Sequence, residues 1–227
     1  MRTNLAIDPA RSAALFVDLQ EEHRKDCRYL VEGFDDLVLR VRRLQAAARA
    51  AGMPVFHSAY VVDPGNGGAS PFHPMLEDGR SAFSDVGDPL SAICAEVGPA
   101  ADEVLLIKTT ASSLAEAKLP AMLKARDVEW LLIAGVWTEA CIAATVKDAI
   151  GHGFRVLLVK DACGSGTAAM HQTAILNIAN RLYGGAITDT DGACRLINGE
   201  AVEAWRVQGS VPLRFTYDNA ASLFAEL

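Results

Sequence analysis

Hydrophobic residues along the chain fall into two alternating patterns. Short and uniformly apolar runs predict six strands, at residues 13–18, 54–60, 104–108, 130–135, 155–160 and 186–188. Between them, apolar residues recur at spacings of three and four, which is the period of an amphipathic helix. These stretches predict helices at residues 34–51, 119–126, 139–150 and 168–183. Strands without polar alternation are typical of a sheet that is covered on both faces.

The order of these elements predicts the fold class. Strands that alternate with helices form right-handed βαβ crossovers, which place the strands parallel in one sheet. We therefore predict an α/β fold, a three-layer α/β/α sandwich around a six-stranded, mainly parallel, Rossmann-like sheet. The 227 residues fit a single domain, 1–227, with a core at about 10–192 and a C-terminal tail at 193–227. The Gly-, Pro- and Ser-rich stretch 63–89 is long for a connection and predicts a lid or an interface element.

Composition and charge argue against several kinds of partner. Hydrophobic residues make up 51% of the chain and charged residues 22%, which is typical of a chain that folds alone. The formal net charge is −7 and no block of Lys and Arg occurs, so we expect no nucleic-acid binding. No run of 18 apolar residues and no signal-peptide pattern is present. We therefore expect no membrane association and a cytoplasmic location.

The five cysteines give no sign of a disulfide framework or a zinc site. Their number is odd, they are widely spaced, and neither CxxC nor a Cys/His cluster occurs. We expect free thiols, no metal and no cofactor. A cysteine taken alone is most often an inert core residue.

Three polar residues follow three of the predicted strands. Asp18 ends the first strand, Lys108 ends the third, and Cys141 follows the fourth after the turn 135–140. The carboxyl ends of parallel strands meet at one edge of the sheet, where ligands bind. Each residue has an ordinary explanation alone, as a helix cap, a surface lysine and a packed thiol. Their coincidence at one edge favours a catalytic site.

These residue types suit nucleophilic catalysis. A thiol, with a free pKa of about 8.5, becomes a nucleophile when it loses its proton. Asp18 can accept that proton, and we expect Lys108 and the following helix to lower the pKa of Cys141. Attack on an amide produces an oxyanion that backbone N–H groups before Cys141 can bind. Asp18 then returns the proton to the leaving nitrogen, and water hydrolyses the thioester.

The motifs around these residues resemble those of the isochorismatase-like cysteine hydrolases. That superfamily includes N-carbamoylsarcosine amidases, nicotinamidases, biuret and ureidoacrylate hydrolases, and isochorismatases. GVWTEAC at 135–141 is similar to the family motif G-V-x-T-x-x-C, LFVDLQ at 15–20 to the first strand, and IKTTASSL at 107–114 to the lysine motif K-x-x-x-S-x-F. The resemblance extends over roughly residues 10–192.

The resemblance implies an active site and a reaction. Asp18, Lys108 and Cys141 are its expected catalytic residues, and the N–H groups of Trp137 and Cys141 its expected oxyanion hole. A cis peptide bond is expected between Val136 and Trp137. The expected reaction is cleavage of a C–N bond in a small linear amide or a carbamoyl or ureido compound, by a homo-oligomer, either a dimer or a tetramer.

Residues near the same edge are candidates for substrate binding, namely Gln20, His23, Tyr60, Ser112 and Trp137. Glu22 and Arg24, in the charged stretch after Asp18, are further candidates for reaching the pocket. Trp137 is bulky where family members commonly have a small residue, and Leu114 replaces a frequent aromatic residue.

The metal motif of nicotinamidases, D-x-H-x-x-H, is missing around His57, which disfavours a metal and nicotinamide as substrate.

Two alternative functions stay open. Isochorismatase-type vinyl-ether cleavage depends on the acid and the lysine, so Cys141 disfavours it. A non-catalytic oligomeric binding protein of the same fold is disfavoured by the complete set of three residues. A nucleotide-binding Rossmann protein lacks support because no GxGxxG follows the first strand.

Overall fold

An eight-stranded sheet forms the centre of the computed structural model, which describes residues 1–227. In chain order the strands are β1 (Arg2–Leu5), β2 (Ser12–Val17), β3 (Val55–Tyr60), β4 (Val104–Lys108), β5 (Trp130–Val136), β6 (Arg155–Gly164), β7 (Ala186–Thr188) and β8 (Val202–Trp205). The helices are α1 (Glu22–Lys25), α2 (Phe34–Ala50), α3 (Lys118–Lys124), α4 (Ala143–Gly151), α5 (Ala168–Ala179), α6 (Thr190–Ile197) and α7 (Ala220–Glu226). Across the sheet the strand order is β1-β8-β7-β6-β5-β2-β3-β4.

The predicted α/β class with a mainly parallel sheet is confirmed, but the predicted number of strands is wrong. The six predicted strands are β2 to β7, and all of them are parallel. Two further strands extend the sheet beyond β7: β8 pairs antiparallel with β7, and β1 pairs antiparallel with β8. Each has only four residues, and β1 is mostly exposed with the sequence RTNL. The apolar runs that identify buried parallel strands are therefore absent from β1.

Successive residues of the central strands belong to two separate hydrophobic cores. In β2, Ala14 and Phe16 face the core that contains α2 and α6. Leu15 and Val17 face the opposite core, which contains α3, α4, α5 and α7. Because side chains alternate between the faces of a strand, helices cover both sides of the sheet. The result is a sandwich of three layers.

The predicted helix 139–150 is interrupted at its start. A single π-helical turn, Thr138–Ile142, precedes α4, and the N–H of Ile142 donates to the carbonyl of Trp137 at 3.1 Å. Such turns are rare and are often found at functional sites. The wider turn carries Cys141 between the end of β5 and the first residue of α4.

The residues after 192 pack onto the body of the fold. They contribute part of α6, the strand β8 and the helix α7, whose Ala220 belongs to the core around α5. None of the helices combines the length and the apolar composition that a membrane span needs.

Gly135 marks the closest approach of β5 to β2. Its φ is +128°, and a Cβ there would lie 2.1 Å from the carbonyl oxygen of Val17. We expect Gly135→Ala to lower the free energy of unfolding by about 3 kcal/mol or more, because backbone must shift to admit the methyl group. Urea denaturation followed by circular dichroism measures this change.

Gly151→Ala is the matched control, since Gly151 ends α4 and nothing lies within 4 Å of its added Cβ. This variant should stay within about 1 kcal/mol of the parent. Equal stabilities of the two variants would contradict the close approach.

Candidate active site

Asp18, Lys108 and Cys141 meet at the carboxyl edge of the sheet. Asp18 follows β2, Lys108 ends β4, and Cys141 lies between β5 and α4. The Nζ atom of Lys108 lies 2.7 Å from Oδ2 of Asp18 and 3.4 Å from Sγ of Cys141. All three residues that the sequence singled out are therefore in one cluster. Asp18 and Lys108 are buried, with 2% and 5% of their surface exposed.

The Asp18 carboxylate is fixed by its backbone conformation and by a chain of serines. Its φ of +53° lies in the left-handed region, which aspartate adopts more readily than most residues. Its Oδ1 accepts from Ser58 at 3.0 Å, and Ser58 accepts from Ser113 at 2.9 Å. Neither serine was among the predicted site residues, although Ser58 is a polar residue inside a buried strand.

The Lys108 ammonium is held by more than its two reactive neighbours. It donates to the carbonyl oxygens of Thr110 and Ala111 at 3.2 and 3.1 Å. It also stands 5.1 Å from the centre of the Tyr60 ring. These contacts compensate the lost hydration of a buried cation and fix its position beside the thiol.

The Cys141 thiol is neutral in the resting protein. Burial raises its pKa to about 12, the negative charge of Asp18 acts in the same direction, and Lys108 opposes both. Lys108 acts on this pKa in the expected direction, but the net shift is upward because desolvation and the Asp18 carboxylate outweigh the cation. The proton can leave when attack begins, since Asp18 is the adjacent base.

A cavity of about 500 Å³ opens onto the thiol. Its aromatic walls are Tyr29, Tyr60, Phe83 and Trp137. Phe83 comes from the long stretch 63–89, so that stretch covers the active site of its own chain. The lid or interface role expected of this stretch stays a prediction.

Four of the five candidates for substrate binding line this cavity, namely Gln20, His23, Tyr60 and Trp137. The indole Nε1 of Trp137 donates to Nδ1 of His23 at 3.3 Å. Burial lowers the pKa of His23 to about 4, so the ring is neutral at pH 7. The Tyr60 ring stacks on Phe83, with 5.8 Å between the ring centres.

The polar side chains of Gln20 and Ser112 are hydrogen-bonded within the chain, and their predicted role in substrate binding stays a prediction. Gln20 borders the cavity, but its amide nitrogen donates to the carbonyl oxygens of Tyr60 at 3.0 Å and Ser91 at 2.9 Å. Its amide oxygen accepts from the N–H of Tyr60 at 3.0 Å. Its hydrogen-bonding capacity is used to join two loops. The hydroxyl of Ser112 accepts from the N–H of Leu114 at 3.1 Å and stabilises the local turn, away from the cavity.

The turn before Cys141 has the geometry that the resemblance implied. The Val136–Trp137 peptide bond is cis. The N–H of Trp137 donates to no other residue of the chain, which leaves it free for a ligand. Thr138 anchors the turn, because its hydroxyl donates to the carbonyl of Gly164 at 2.9 Å. Nδ1 of His171, a residue that the sequence analysis missed, lies 2.8 Å from the same hydroxyl.

One cluster outside the cavity has metal-ligand residue types, namely Glu21, Cys94 and Glu96. Arg24 forms ion pairs with Glu21 and Glu96 at 2.6 and 3.0 Å, so their negative charge is already balanced. Arg24 therefore points to this cluster rather than to Cys141. His57 is likewise engaged elsewhere, at 2.8 Å from Glu103.

A parallel α/β sheet that holds an acid, a lysine and a cysteine in contact at its carboxyl edge defines a class of thiol-dependent sites. Comparison with models of protein families identifies the family within this class to which the chain belongs. The Isochorismatase domain matches residues 12–192, and the chain belongs to this family. The family prediction is therefore confirmed.

Several characterised relatives are named as amidohydrolases. The chain is 36% identical over 110 residues to maleamate amidohydrolase of Pseudomonas putida, an alignment that covers 48% of this chain and about half of that protein, 51%. It is 26% identical over 207 residues to N-carbamoylsarcosine amidase of Arthrobacter sp, covering 83% of this chain and 72% of that one. Ureidoacrylate amidohydrolase RutB of Yersinia enterocolitica is 25% identical over 213 residues, covering 85% and 92%.

Solved structures share the fold. A cysteine hydrolase from Pseudomonas syringae pv. phaseolicola superposes with a TM-score of 0.76 at 23% identity. The alignment covers 86% of this chain and 95% of the hydrolase chain. An isochorismatase family protein from Desulfovibrio vulgaris has a TM-score of 0.74 at 27% identity and covers 83% and 98%. The arrangement of sheet and helices is therefore common to this family.

The raised pKa of Cys141 predicts how the thiol reacts with a small neutral reagent that contains no amide, such as methyl methanethiosulfonate. Only the thiolate attacks, so modification should be slow at pH 7 and should accelerate about tenfold per pH unit up to pH 10. Peptide mass spectrometry separates the sites, and the exposed Cys27 serves as the internal reference. Modification of Cys141 at pH 7 as fast as that of Cys27 would contradict a neutral resting thiol.

Proposed function

We propose that this protein is a cysteine amidohydrolase that cleaves the C–N bond of a small linear amide or of a carbamoyl or ureido compound. The observation that carries the proposal is the contact of one buried ammonium, Lys108, with both the Asp18 carboxylate and the Cys141 thiol beside the cavity. The amidohydrolase names of the relatives support the same class of reaction.

The first step is attack of Sγ of Cys141 on the carbonyl carbon of the amide. Asp18 accepts the thiol proton as the S–C bond forms, because a neutral thiol needs a base at that moment. Lys108 stabilises the negative charge that develops on sulfur, at its distance of 3.4 Å. The carbonyl oxygen becomes an oxyanion.

The oxyanion is bound by backbone N–H groups of the turn at Trp137 and Cys141. The Trp137 N–H has no partner within the chain, so it is available without breaking a hydrogen bond. Removing one such donor in a comparable site costs about 10²–10³ in rate.

The second half of the reaction restores the enzyme. Asp18 gives its proton to the leaving nitrogen, the C–N bond breaks, and ammonia or an amine leaves. Asp18 then accepts a proton from water, which attacks the thioester. As the C–S bond breaks, Asp18 passes this proton to the leaving sulfur of Cys141. The products are an acid, the amine and the free thiol, so one amide and one water are consumed.

The remaining expectations from the sequence stay predictions. They are a small-molecule amide as the partner, no cofactor, assembly as a dimer or tetramer, and a cytoplasmic location. Vinyl-ether cleavage needs no thiol nucleophile, so it leaves the placement of Cys141 beside Lys108 unexplained. A non-catalytic binding protein would show no turnover.

The decisive measurement is release of ammonia from a panel of small amides, ureido acids and carbamoyl compounds. We expect Cys141→Ser to retain less than about 1% of the parent rate, because the alcohol is a weaker nucleophile than the thiol. Asp18→Asn should lose about 10²-fold or more, because proton transfer is lost. Circular dichroism should show both variants folded.

Cys194→Ser is the matched control, since Cys194 lies in α6 and does not line the cavity. It should keep the parent rate. Parent-like turnover by Cys141→Ser or Asp18→Asn would refute the assigned roles. Cleavage of a vinyl ether without ammonia release from any amide would support the alternative reaction instead.

His171 is a positioning residue for the oxyanion turn. The hydroxyl of Thr138 lies between the carbonyl of Gly164 at 2.9 Å and Nδ1 of His171 at 2.8 Å, so the imidazole fixes the orientation of this hydroxyl. The ring of Phe224, from α7, packs edge-on against His171 at 5.4 Å. The C-terminal helix thus supports the turn that follows the Trp137 N–H.

Two variants of His171 test this role. His171→Leu should lower kcat about tenfold or more and leave KM within about twofold. The reason is that the oxyanion develops in the transition state and is absent from the bound substrate. His171→Asn keeps a hydrogen-bonding amide near the position of Nδ1 and should recover most of kcat. A rise in KM alone, or equal losses of kcat in both variants, would contradict a positioning role.

A further inference from the structure

A second buried carboxylate, Glu22, lines the same cavity as Cys141. Glu22 begins α1, four residues after Asp18, and only 4% of its surface is exposed. Its hydrogen-bond partner within the chain is Ser84, whose N–H donates to Oε2 at 2.9 Å and whose hydroxyl donates to Oε1 at 2.5 Å. No cationic side chain is among its partners, and the mechanism above does not use it.

This carboxylate is incompletely satisfied. An ionised carboxylate offers about four acceptor positions, of which Ser84 takes two. A buried charge without an opposite charge is costly. Burial raises the pKa of Glu22, and the nearby acids Asp26 and Asp88 act in the same direction. A positively charged ligand group would supply the missing counter-charge.

The other charges that line the cavity are already balanced within the chain. Asp18 is paired with Lys108 at 2.7 Å. The guanidinium of Arg28 binds both carboxylate oxygens of Asp26, with its shortest contact at 2.5 Å, and stands over the Tyr29 ring. His23 is neutral at pH 7 because its pKa is about 4. Glu22 is therefore the unbalanced charge of the pocket.

The walls of the cavity suit a cation as well. Tyr29, Tyr60, Phe83 and Trp137 surround the space, and the negative faces of aromatic rings attract positive groups. The net charge of −7 adds a general attraction for cations over anions.

We propose that Glu22 is a specificity-determining residue that selects amides whose non-reacting end carries a positive charge, such as an ammonium group. The reacting end is assigned by the proposed function, on which this inference rests. Glu22 binds the opposite end of the substrate while the amide carbon lies at Cys141. The same cavity contains both groups, so one small molecule reaches both.

A purely structural role for Glu22 has a different signature. Its bonds to Ser84 hold that residue at a φ of +53° and fix the stretch that covers the site. Glu22→Gln keeps the size of the side chain and one oxygen that accepts from the Ser84 N–H, but it removes the charge. Loss of a structural clamp changes binding of all substrates alike, whereas loss of a counter-charge changes the cationic one.

The test uses three amides of similar length: 4-aminobutanamide as the cation, pentanamide as its neutral isostere and succinamate as the anion. Calorimetric Kd values are measured on Cys141→Ala, which binds without turnover, and kcat/KM from ammonia release on the protein with Cys141. We expect 4-aminobutanamide to bind best. Adding Glu22→Gln should weaken it about tenfold or more and pentanamide by less than about twofold.

Arg28→Gln is the matched control, because Arg28 lines the same cavity with the opposite charge. It should leave the preference for the cation in place. A preference for succinamate that Arg28→Gln removes would assign selection to Arg28 and overturn the proposal. Absence of binding by 4-aminobutanamide, or an equal loss for all three amides in Glu22→Gln, would overturn it too.

The two proposals fail in different ways. Binding of 4-aminobutanamide that depends on Glu22, without ammonia release, would refute the hydrolase and leave the selectivity intact. Ammonia release that depends on Cys141 but has the same substrate preference in Glu22→Gln as in the parent would refute the selectivity alone.

Discussion

The buried ion pair between Lys108 and Asp18 is the constraint on which the site depends. Taking an ammonium out of water is costly, and the structure compensates this cost with a carboxylate at 2.7 Å and two backbone carbonyls. The same ammonium is the cation nearest the Cys141 sulfur. The ends of β2, β4 and β5 must lie at the same edge of the sheet for these contacts to form. The stability of this edge and the chemistry of the thiol therefore depend on one interaction.

Much of the fold was predictable because buried parallel strands consist of apolar runs. The six predicted strands are β2 to β7, and the alternation of strands and helices predicted their parallel orientation. The edge strand β1 and its neighbour β8 were not predictable in this way. Each has only four residues, and β8 pairs with β7 only between Trp205 and Ile187. The π-helical turn at Thr138–Ile142 was also missed, because one extra residue in a turn hardly changes the spacing of apolar positions.

The position of a residue in the sequence predicted which edge of the sheet it reaches but not where its side chain points. Asp18, Lys108 and Cys141 met as expected, whereas the amide of Gln20 turned to backbone groups. The net shift in the pKa of Cys141 was mispredicted for a related reason. Sequence shows which charges are near a thiol, but the extent of burial decides the balance, and burial depends on the whole fold.

The stretch that contains Phe83 and Ser84 joins β3 to β4 and also forms part of the cavity wall. Insertions or substitutions there can reshape the space above the thiol without moving the strand ends that hold the ion pair. Loops tolerate such changes better than buried strands do. In evolutionary terms, the choice of substrate and the bond-breaking chemistry are then free to diverge independently, which fits a family whose members have different amides in their names.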